Sequence, residues 1–336
     1  MNPHNTMNLR KINTEKVRNA LVQYTSLTKS EIASVTGLSL ATCTNILKTL
    51  VEQGEIENIK EEASTGGRKA KRYYFNRTFA RVLCTTIRPP IDEKGIDYEI
   101  VNMFGETEYK YYGLKEENNF EDIVKTIEDI MNKFPNVKGL GFSVAGVITQ
   151  KSLFTGMESH YEVNNFEQAI EEYFKLPVYI DNNANLAVQQ FAKENHLDTH
   201  QSAALIIDVF GSGIYVNGTV CHGYHGFGGE LFNFPDDSQP YDKVLSSEGR
   251  RHFLSRVCLG LFTIIDPYII ILCNGNDLPI KTTVEDVEYI KQYILEHIEK
   301  QFLPKFVIID QFDELVLKGL KNGTLDKIKS HYENEM

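Results

Sequence analysis

The sequence is poor in cysteine and shows no pattern in what it has: Cys43, Cys84, Cys221, Cys258 and Cys273 are scattered, odd in number and without a Cys-x-x-Cys pair. A disulfide framework is therefore not expected, and a reducing cytoplasm is the environment that such usage fits. Apolar runs are short, as at Ile269 to Cys273, and mean hydropathy is −0.29, so no membrane-spanning helix is expected. The opening MNPHNTMNLRKINTEK has no apolar stretch behind its basic residues and does not read as a secretory signal. Low-complexity tracts and tandem repeats are lacking too. What is present is 336 residues, 42% of them hydrophobic, enough for two or three domains whose cores need no staples.

The net charge of −11 argues against a nucleic-acid partner until it is divided along the chain. Residues 1–80 hold 12 Lys and Arg against 7 Asp and Glu, a net of +5, and the rest holds 23 against 39, a net of −16. A basic head on an acidic body is the asymmetry that calls for a search for a DNA-binding module.

The first eighty residues read as three helices and a hairpin. Val17, Ala20, Leu21 and Tyr24 mark the buried stripe of a helix over about 13–24. Thr28-Lys-Ser-Glu31 is a capping box that opens a second helix with Ile32 and Ala33 facing inward. In Thr36-Gly37-Leu38-Ser39, Gly37 takes a positive φ and Ser39 caps a third helix running from about Leu40 to Gln53. A strand, a Gly66-Gly67 tip and a second strand follow. This is the pattern of a winged helix-turn-helix over residues 1–78. On the third helix Cys43, Leu47 and Leu50 face the core, while Ala41, Thr44, Asn45 and Lys48, with Thr42 beside them, form a small polar face fit for a major groove. Asn45 is the candidate for an adenine edge, Thr42 or Thr44 for a thymine methyl or a phosphate, and Lys48 for a phosphate. Ser39 joins them at the helix start. On the wing, Arg68, Lys69 and Lys71 are basic residues beside glycines, suited to a narrow minor groove, and Arg68→Ala is expected to weaken binding most on A/T-rich flanks. The competing reading is an exposed basic loop on a protein-binding module.

From about Thr78 onward strands and helices alternate in an α/β body. Strands are expected at 81–87, 98–103, 139–144, 178–180, 203–209 and 269–273, and helices at 120–133, 165–174, 184–195 and 250–265. Another helix is expected behind a capping box at Thr282-Thr-Val-Glu285, with Val287, Ile290, Ile294 and Ile298 inward.

The head, together with GLGFSVAGVI, YIDNNANLAV, GSGIYVNGTVCHGYHGFGGE and IIDPYIIILCNG, resembles the ROK family of repressors, open reading frames and sugar kinases. The Gly37-Leu-Ser-x-Ala-Thr42 turn and the Gly-Gly-Arg wing are similar to its repressor branch. The resemblance implies a two-lobed, actin-like, ribonuclease-H-like body over 79–336: a first lobe over about 79–195 plus the C-terminal helix, and a second over about 196–314. In the family's kinases such a body holds a hexose and ATP between the lobes.

The kinase chemistry that the resemblance implies is not matched residue by residue. Where family kinases carry an Asp-x-Gly-Gly-Thr phosphate turn, this chain reads Leu83-Cys-Thr-Thr-Ile-Arg88-Pro89-Pro90, without the glycines and with prolines that have no N–H to offer. Gly211-Ser212-Gly213 after Asp208 is a partial remnant of a second phosphate turn, or simply a tight turn. The catalytic base position holds Asn183 in Asp181-Asn182-Asn183-Ala184-Asn185, and an amide cannot accept a proton; Asp181, two residues earlier, is expected to point elsewhere. The family's zinc motif also fails: Asn233 stands where a His is expected, and no cysteine lies between Cys221 and Cys258. Cys221, His222 and His225 read as loop residues rather than a metal cluster. No metal and no cofactor are expected.

A sugar pocket remains as an expectation. Asn182 and Glu230 match family positions that contact sugar hydroxyls, Glu248 stands in for a third, and Asn183 binds without reacting. The alternative is that Asn182 and Asn183 only cap the following helix and that Glu230 is a surface acid. The expectation is thus a cytoplasmic transcriptional repressor of carbohydrate-related genes, a homodimer or tetramer on a pseudo-palindromic double-stranded operator with A/T-rich flanks, without enzymatic activity and answering to a sugar or sugar phosphate. Two rivals are an active ATP-dependent sugar kinase with a DNA-binding head and an effector-free DNA-binding dimer.

Overall fold

The computed structural model describes residues 3–60, 71–88, 95–113, 119–149, 153–155, 159–161, 165–207, 211–231, 234, 246–274 and 281–334. The chain divides into two compact units: Met1–Arg81 with Val101–Glu108, and Val82–Ile100 with Tyr109–Met336.

The first unit runs α1 (Pro3–Tyr24), β1 (Ser26–Thr28), α2 (Lys29–Thr36), α3 (Leu40–Glu52), β2 (Ile56–Lys60) and β3 (Lys71–Phe75). The capping box forms as the sequence requires: the Glu31 N–H donates to the Thr28 hydroxyl, and the Thr28 N–H donates to the Glu31 carboxylate at 2.7 Å. Gly37 ends α2 with φ 69°, a conformation with a steric cost for a residue bearing a Cβ, and so turns the chain into α3. Val17, Leu21, Ile32, Cys43, Ile46, Leu47 and Leu50 close one apolar core with Ile56 and Phe75 from the wing strands. Each such side chain contributes about 2 kcal/mol by leaving water. Tyr24 departs from the expected stripe: it is 49% exposed, because the buried face of α1 ends at Leu21. Strand β1 joins the wing hairpin as a third strand, in the order β1-β3-β2. The turn 101–108 belongs to this unit as well, with Phe104 edge-on against Phe75 at 6.0 Å and Arg77 both over the Phe104 ring and paired with Glu106 at 2.6 Å.

One ion pair holds α1 to the segment after α3. Glu55 is buried, and Arg18 grips it with two parallel bonds, Nε to Oε1 at 2.5 Å and Nη2 to Oε2 at 2.8 Å. These bonds, with that to Glu15, hold the Arg18 guanidinium above its ordinary value against the opposing effect of its own burial. Removing the cation strands a buried carboxylate, so Arg18→Ala is expected to destabilise the head by about 3 kcal/mol. A thermal melt of the full chain checks this, and Glu55→Leu added to Arg18→Ala should recover most of the loss.

The chain continues, chiefly in the second unit, with β4 (Arg81–Ile87), β5 (Asp97–Asn102) and β6 (Thr107–Tyr112), the ends of which at Arg81 and 101–108 belong to the first, then α4 (Phe120–Lys133), β7 (Val137–Val144), β8 (Val147–Ile148), β9 (Leu153–Thr155), β10 (Ser159–Tyr161), α5 (Phe166–Phe174), β11 (Val178–Asn182) and α6 (Asn183–Glu194). It continues with β12 (Ala203–Ile207), β13 (Gly211–Val216), β14 (Thr219–Val220), α7 (Ser247–Ile265), β15 (Ile269–Cys273), α8 (Val284–Leu295), β16 (Lys305–Ile309) and α9 (Phe312–Asn334). Two five-stranded sheets form, β11-β7-β4-β5-β6 and β14-β13-β12-β15-β16, each with its own apolar core. Strands β12 and β15 are buried at every position, which their unbroken apolar runs require of strands covered on both faces. On α4, Ile123, Val124, Ile127 and Ile130 make the inward stripe. The last helix, α9, lies along α6 through Lys318–Glu194 at 3.1 Å and Asn322–Gln190 at 2.9 Å.

Two expectations are corrected here. The capping box before α8 sits one residue later, with Thr283 as the cap and Asp286 as its reciprocal partner, because Thr282 is buried and accepts a hydrogen bond from Arg250. Gly211-Ser212-Gly213 is not a turn but the start of β13, antiparallel to β12 in the register Leu205–Gly213. Asp208 lies outside the described residues.

Candidate functional site

On the head, the N-terminus of α3 is built by its cap. The Ser39 hydroxyl accepts from the Thr42 N–H at 3.1 Å and lies 2.9 Å from the Thr42 hydroxyl. Ser39 and Thr42 are thus engaged in starting the helix, and the Thr44 hydroxyl is engaged with the Leu40 carbonyl at 2.6 Å. Ala41, Thr44, Asn45 and Lys48 are exposed, opposite the buried Cys43, Ile46, Leu47 and Leu50. The Asn45 side chain makes no hydrogen bond among the described residues, so both its donor and its acceptor are free for an outside ligand. Lys48 has a loose pairing with Glu52 at 3.7 Å, with its side chain 75% exposed. Arg68 and Lys69 lie outside the described residues, and Lys71 opens β3, exposed, opposite Lys60. Arg72 is turned to internal work instead, donating to the Ser26 carbonyl at 2.9 Å and pairing with Glu31 at 3.3 Å.

On the body, β11 delivers Asp181 and Asn182 to the mouth of the first sheet, and α6 starts at once with Asn183. The Asn182 side chain caps that helix, accepting from the Ala184 N–H at 2.7 Å, and its amide donates to the Gly146 carbonyl at 2.7 Å. Asn183 Oδ1 also accepts from Ala184, at 2.8 Å, leaving its amide nitrogen without a partner among the described residues. Gly213 of β13 packs directly on the Ala184 carbonyl, which brings the second sheet against this helix start.

Glu230 is fixed through its neighbours. The Gly229 carbonyl accepts from the Ser212 N–H at 2.7 Å and from the Ser212 hydroxyl at 3.1 Å, and Leu231 is buried in the core under α7. Burial pushes the Glu230 carboxyl up, and it has no hydrogen-bond partner among the described residues. Glu248 is exposed in the first turn of α7, where a carboxylate favours the helix start. Asn233 lies outside the described residues.

The role of Asp181 has no signal in the local sequence. That side chain does not stand idle but is buried, with Oδ1 accepting from the Asn182 N–H at 2.7 Å and from the Asn185 amide at 3.0 Å. Its Oδ2 meets the Tyr179 hydroxyl at 3.3 Å and His222 Nε2 at 3.1 Å. The bond to Asp181 raises the His222 pKa above its ordinary value, and Tyr179, raised by burial and by Asp181, stays a donor. Two buried polar atoms near Asp181 lack a partner among the described residues: Ser143 Oγ, on the residue that pairs with Asp181 across the sheet, and Asn185 Oδ1. Such atoms mark a site where water or a ligand hydroxyl completes the bonding. Cys221, His222 and His225 do not converge as a metal cluster among the described residues.

Residues 96–233 match the family model described as ROK family. A xylose repressor of Caldicellulosiruptor bescii is 24% identical over 250 residues, covering 68% of this chain and 61% of that one. The chain spans about 60% of the length of the first curated relatives it matches. Among solved structures, a ROK family transcriptional regulator homologous to the E. coli MLC protein superposes with TM-score 0.61 at 15% identity, over 95% of this chain and 99% of that one. A ROK family protein from Streptococcus pneumoniae TIGR4 in complex with sucrose does so with TM-score 0.53 at 17% identity, over 72% and 98%. The chain therefore shares the fold of these proteins: N-terminal helices with a small sheet, then an α/β body whose two five-stranded sheets are of the actin-like, sugar-kinase type. The segment 96–233 is thus where this chain is similar to the ROK family.

Proposed function

We propose that this protein is a DNA-binding transcriptional repressor of carbohydrate-related genes whose body senses a sugar and does not phosphorylate it. The observation that carries the reading is the free polar face of α3: Asn45 is exposed and unpaired among the described residues while the opposite face is buried. A helix built this way has nothing to gain from its exposed face within the fold and presents a base-reading amide to a major groove. Thr44 and Lys48 flank it as sugar-phosphate contacts, and Arg68, Lys69 and Lys71 place the wing. Two copies related by a two-fold axis put two such helices in successive major grooves of an inverted repeat.

The relatives named xylose repressor and the neighbour holding sucrose support a sugar as the effector class. Asn183, Asn182 and Glu230 are the residues assigned to its hydroxyls, with Asn183 binding where a base would otherwise take the proton. Glu248, exposed in the first turn of α7, is also assigned to them. The sugar acts by binding one arrangement of the body more tightly than another, and that difference sets how far DNA binding shifts.

A gel-shift or anisotropy titration with the full chain tests the reading, across xylose, other pentoses, hexoses and their phosphates. One compound is expected to change the affinity for a specific operator by fivefold to 150-fold, about 1–3 kcal/mol of coupling. A coupled ADP-release assay with the same compounds is expected to show no turnover. Steady ADP release with any of them would establish a kinase instead.

A further inference from the structure

We propose that His222 is the positioning residue of the sugar site: through Asp181 it fastens residues 221–231, and with them Glu230, onto the end of the first sheet. This rests on the assignment of Glu230 to the sugar made above. The segment leaves β14 of the second sheet and is held there by the Cys221 N–H on the Ile214 carbonyl at 2.8 Å and by the Gly229 carbonyl under Ser212. Within the segment the Gly228 N–H donates to the His222 carbonyl at 3.1 Å. It reaches strands outside its own sheet at these points: Gly226 lies against the Ile148 carbonyl of β8, and His222 Nε2 reaches Asp181 Oδ2 of the first sheet at 3.1 Å.

The second point is the stronger. Asp181 is 5% exposed, and among the described residues His222 is its only cationic partner. A buried carboxylate holds a charged donor far better than an exposed one does. The Glu230 carboxyl has no side chain of its own holding it among the described residues, so its place depends on the backbone on either side.

The imidazole faces Asp181 of β11, whose other partners are Tyr179 and the neutral Asn185, and the Val220 backbone; Cys221, His225 and Glu230 are carried on the segment itself. Charged His222 is favoured in the folded chain, so its contribution is fully present below the ordinary histidine value of about 6.5 and is lost as pH rises through the raised one.

Hydrogen exchange on the full chain tests this without a ligand. Against the wild type, His222→Ala is expected to speed exchange at the Gly228 and Ser212 amides about tenfold or more. His222→Gln, which keeps a donor but no charge, should restore protection and remove its loss at alkaline pH. The same proteins are then titrated with the sugar panel. Weaker sugar binding by His222→Ala, with unchanged operator affinity in the absence of sugar, is the expected result. Equal exchange in His222→Ala and wild type overturns the positioning role. Protection that depends on His222 in a wild type that binds no sugar keeps the fastening and overturns the effector reading instead.

Discussion

Asn45→Glu is expected to lower affinity for a specific operator by roughly 100-fold while leaving the melting temperature of the full chain unchanged. The two halves of this result come from one fact. Asn45 is exposed on α3 and makes no side-chain bond among the described residues, so the fold loses nothing when it is replaced. Against DNA the same position carries the free bidentate amide, whose removal alone costs about 1–3 kcal/mol. A carboxylate adds repulsion from the phosphates on either side of the groove. Asn45→Ala should fall between the two, with a loss of about tenfold. Fluorescence anisotropy at fixed salt with parallel melts reads both halves. Wild-type affinity in Asn45→Glu would mean that α3 is not the reading helix.

The largest expected loss of stability is at Gly229. Its φ is 94°, outside what a residue with a Cβ adopts readily, and an added Cβ would fall inside the Ser212 carbonyl. That carbonyl belongs to β13, a strand tied into the second sheet, and cannot move aside cheaply. Gly229→Ala is therefore expected to cost about 3 kcal/mol or more, a fall of roughly 6–12 °C in the melting of the body. Because Gly229 immediately precedes Glu230, sugar binding should fail even below that temperature, while operator binding by the head persists. A melt within 2 °C of wild type, roughly the scatter of a surface change, would show that the segment rearranges freely.

The head was legible because its information is local. The Thr28–Glu31 box, Gly37 and Ser39 act over three or four residues, and the helical period separates Leu47 and Leu50 from Asn45 and Lys48. Strand β1 was not legible: three residues show no alternation, and its partner β3 lies more than forty residues away. In the body, the runs Ala203–Ile207 and Ile269–Cys273 announced buried strands. Gly211-Ser212-Gly213 misled, since glycine there serves close packing of β13 on the Ala184 carbonyl and not a turn.

The pairing of Asp181 with His222 spans 41 positions and carries no spacing rule, so only the packing of two sheets could disclose it. Asn182, Asn183 and Glu230 were assigned through the resemblance to the ROK family, and His222, proposed to tie their segments together, was not.

The proposed function joins a sugar-sensing body to a specific DNA reader. Its most direct test is to incubate the full chain with sheared genomic DNA from the organism that encodes it, at about physiological salt, and to sequence what is retained with and without each sugar. A small set of inverted repeats is expected, with half-sites about one helical turn or a multiple of it apart and with an occupancy that changes with one class of sugar. Retention of DNA without any shared sequence, or of inverted repeats that no sugar affects, would contradict it.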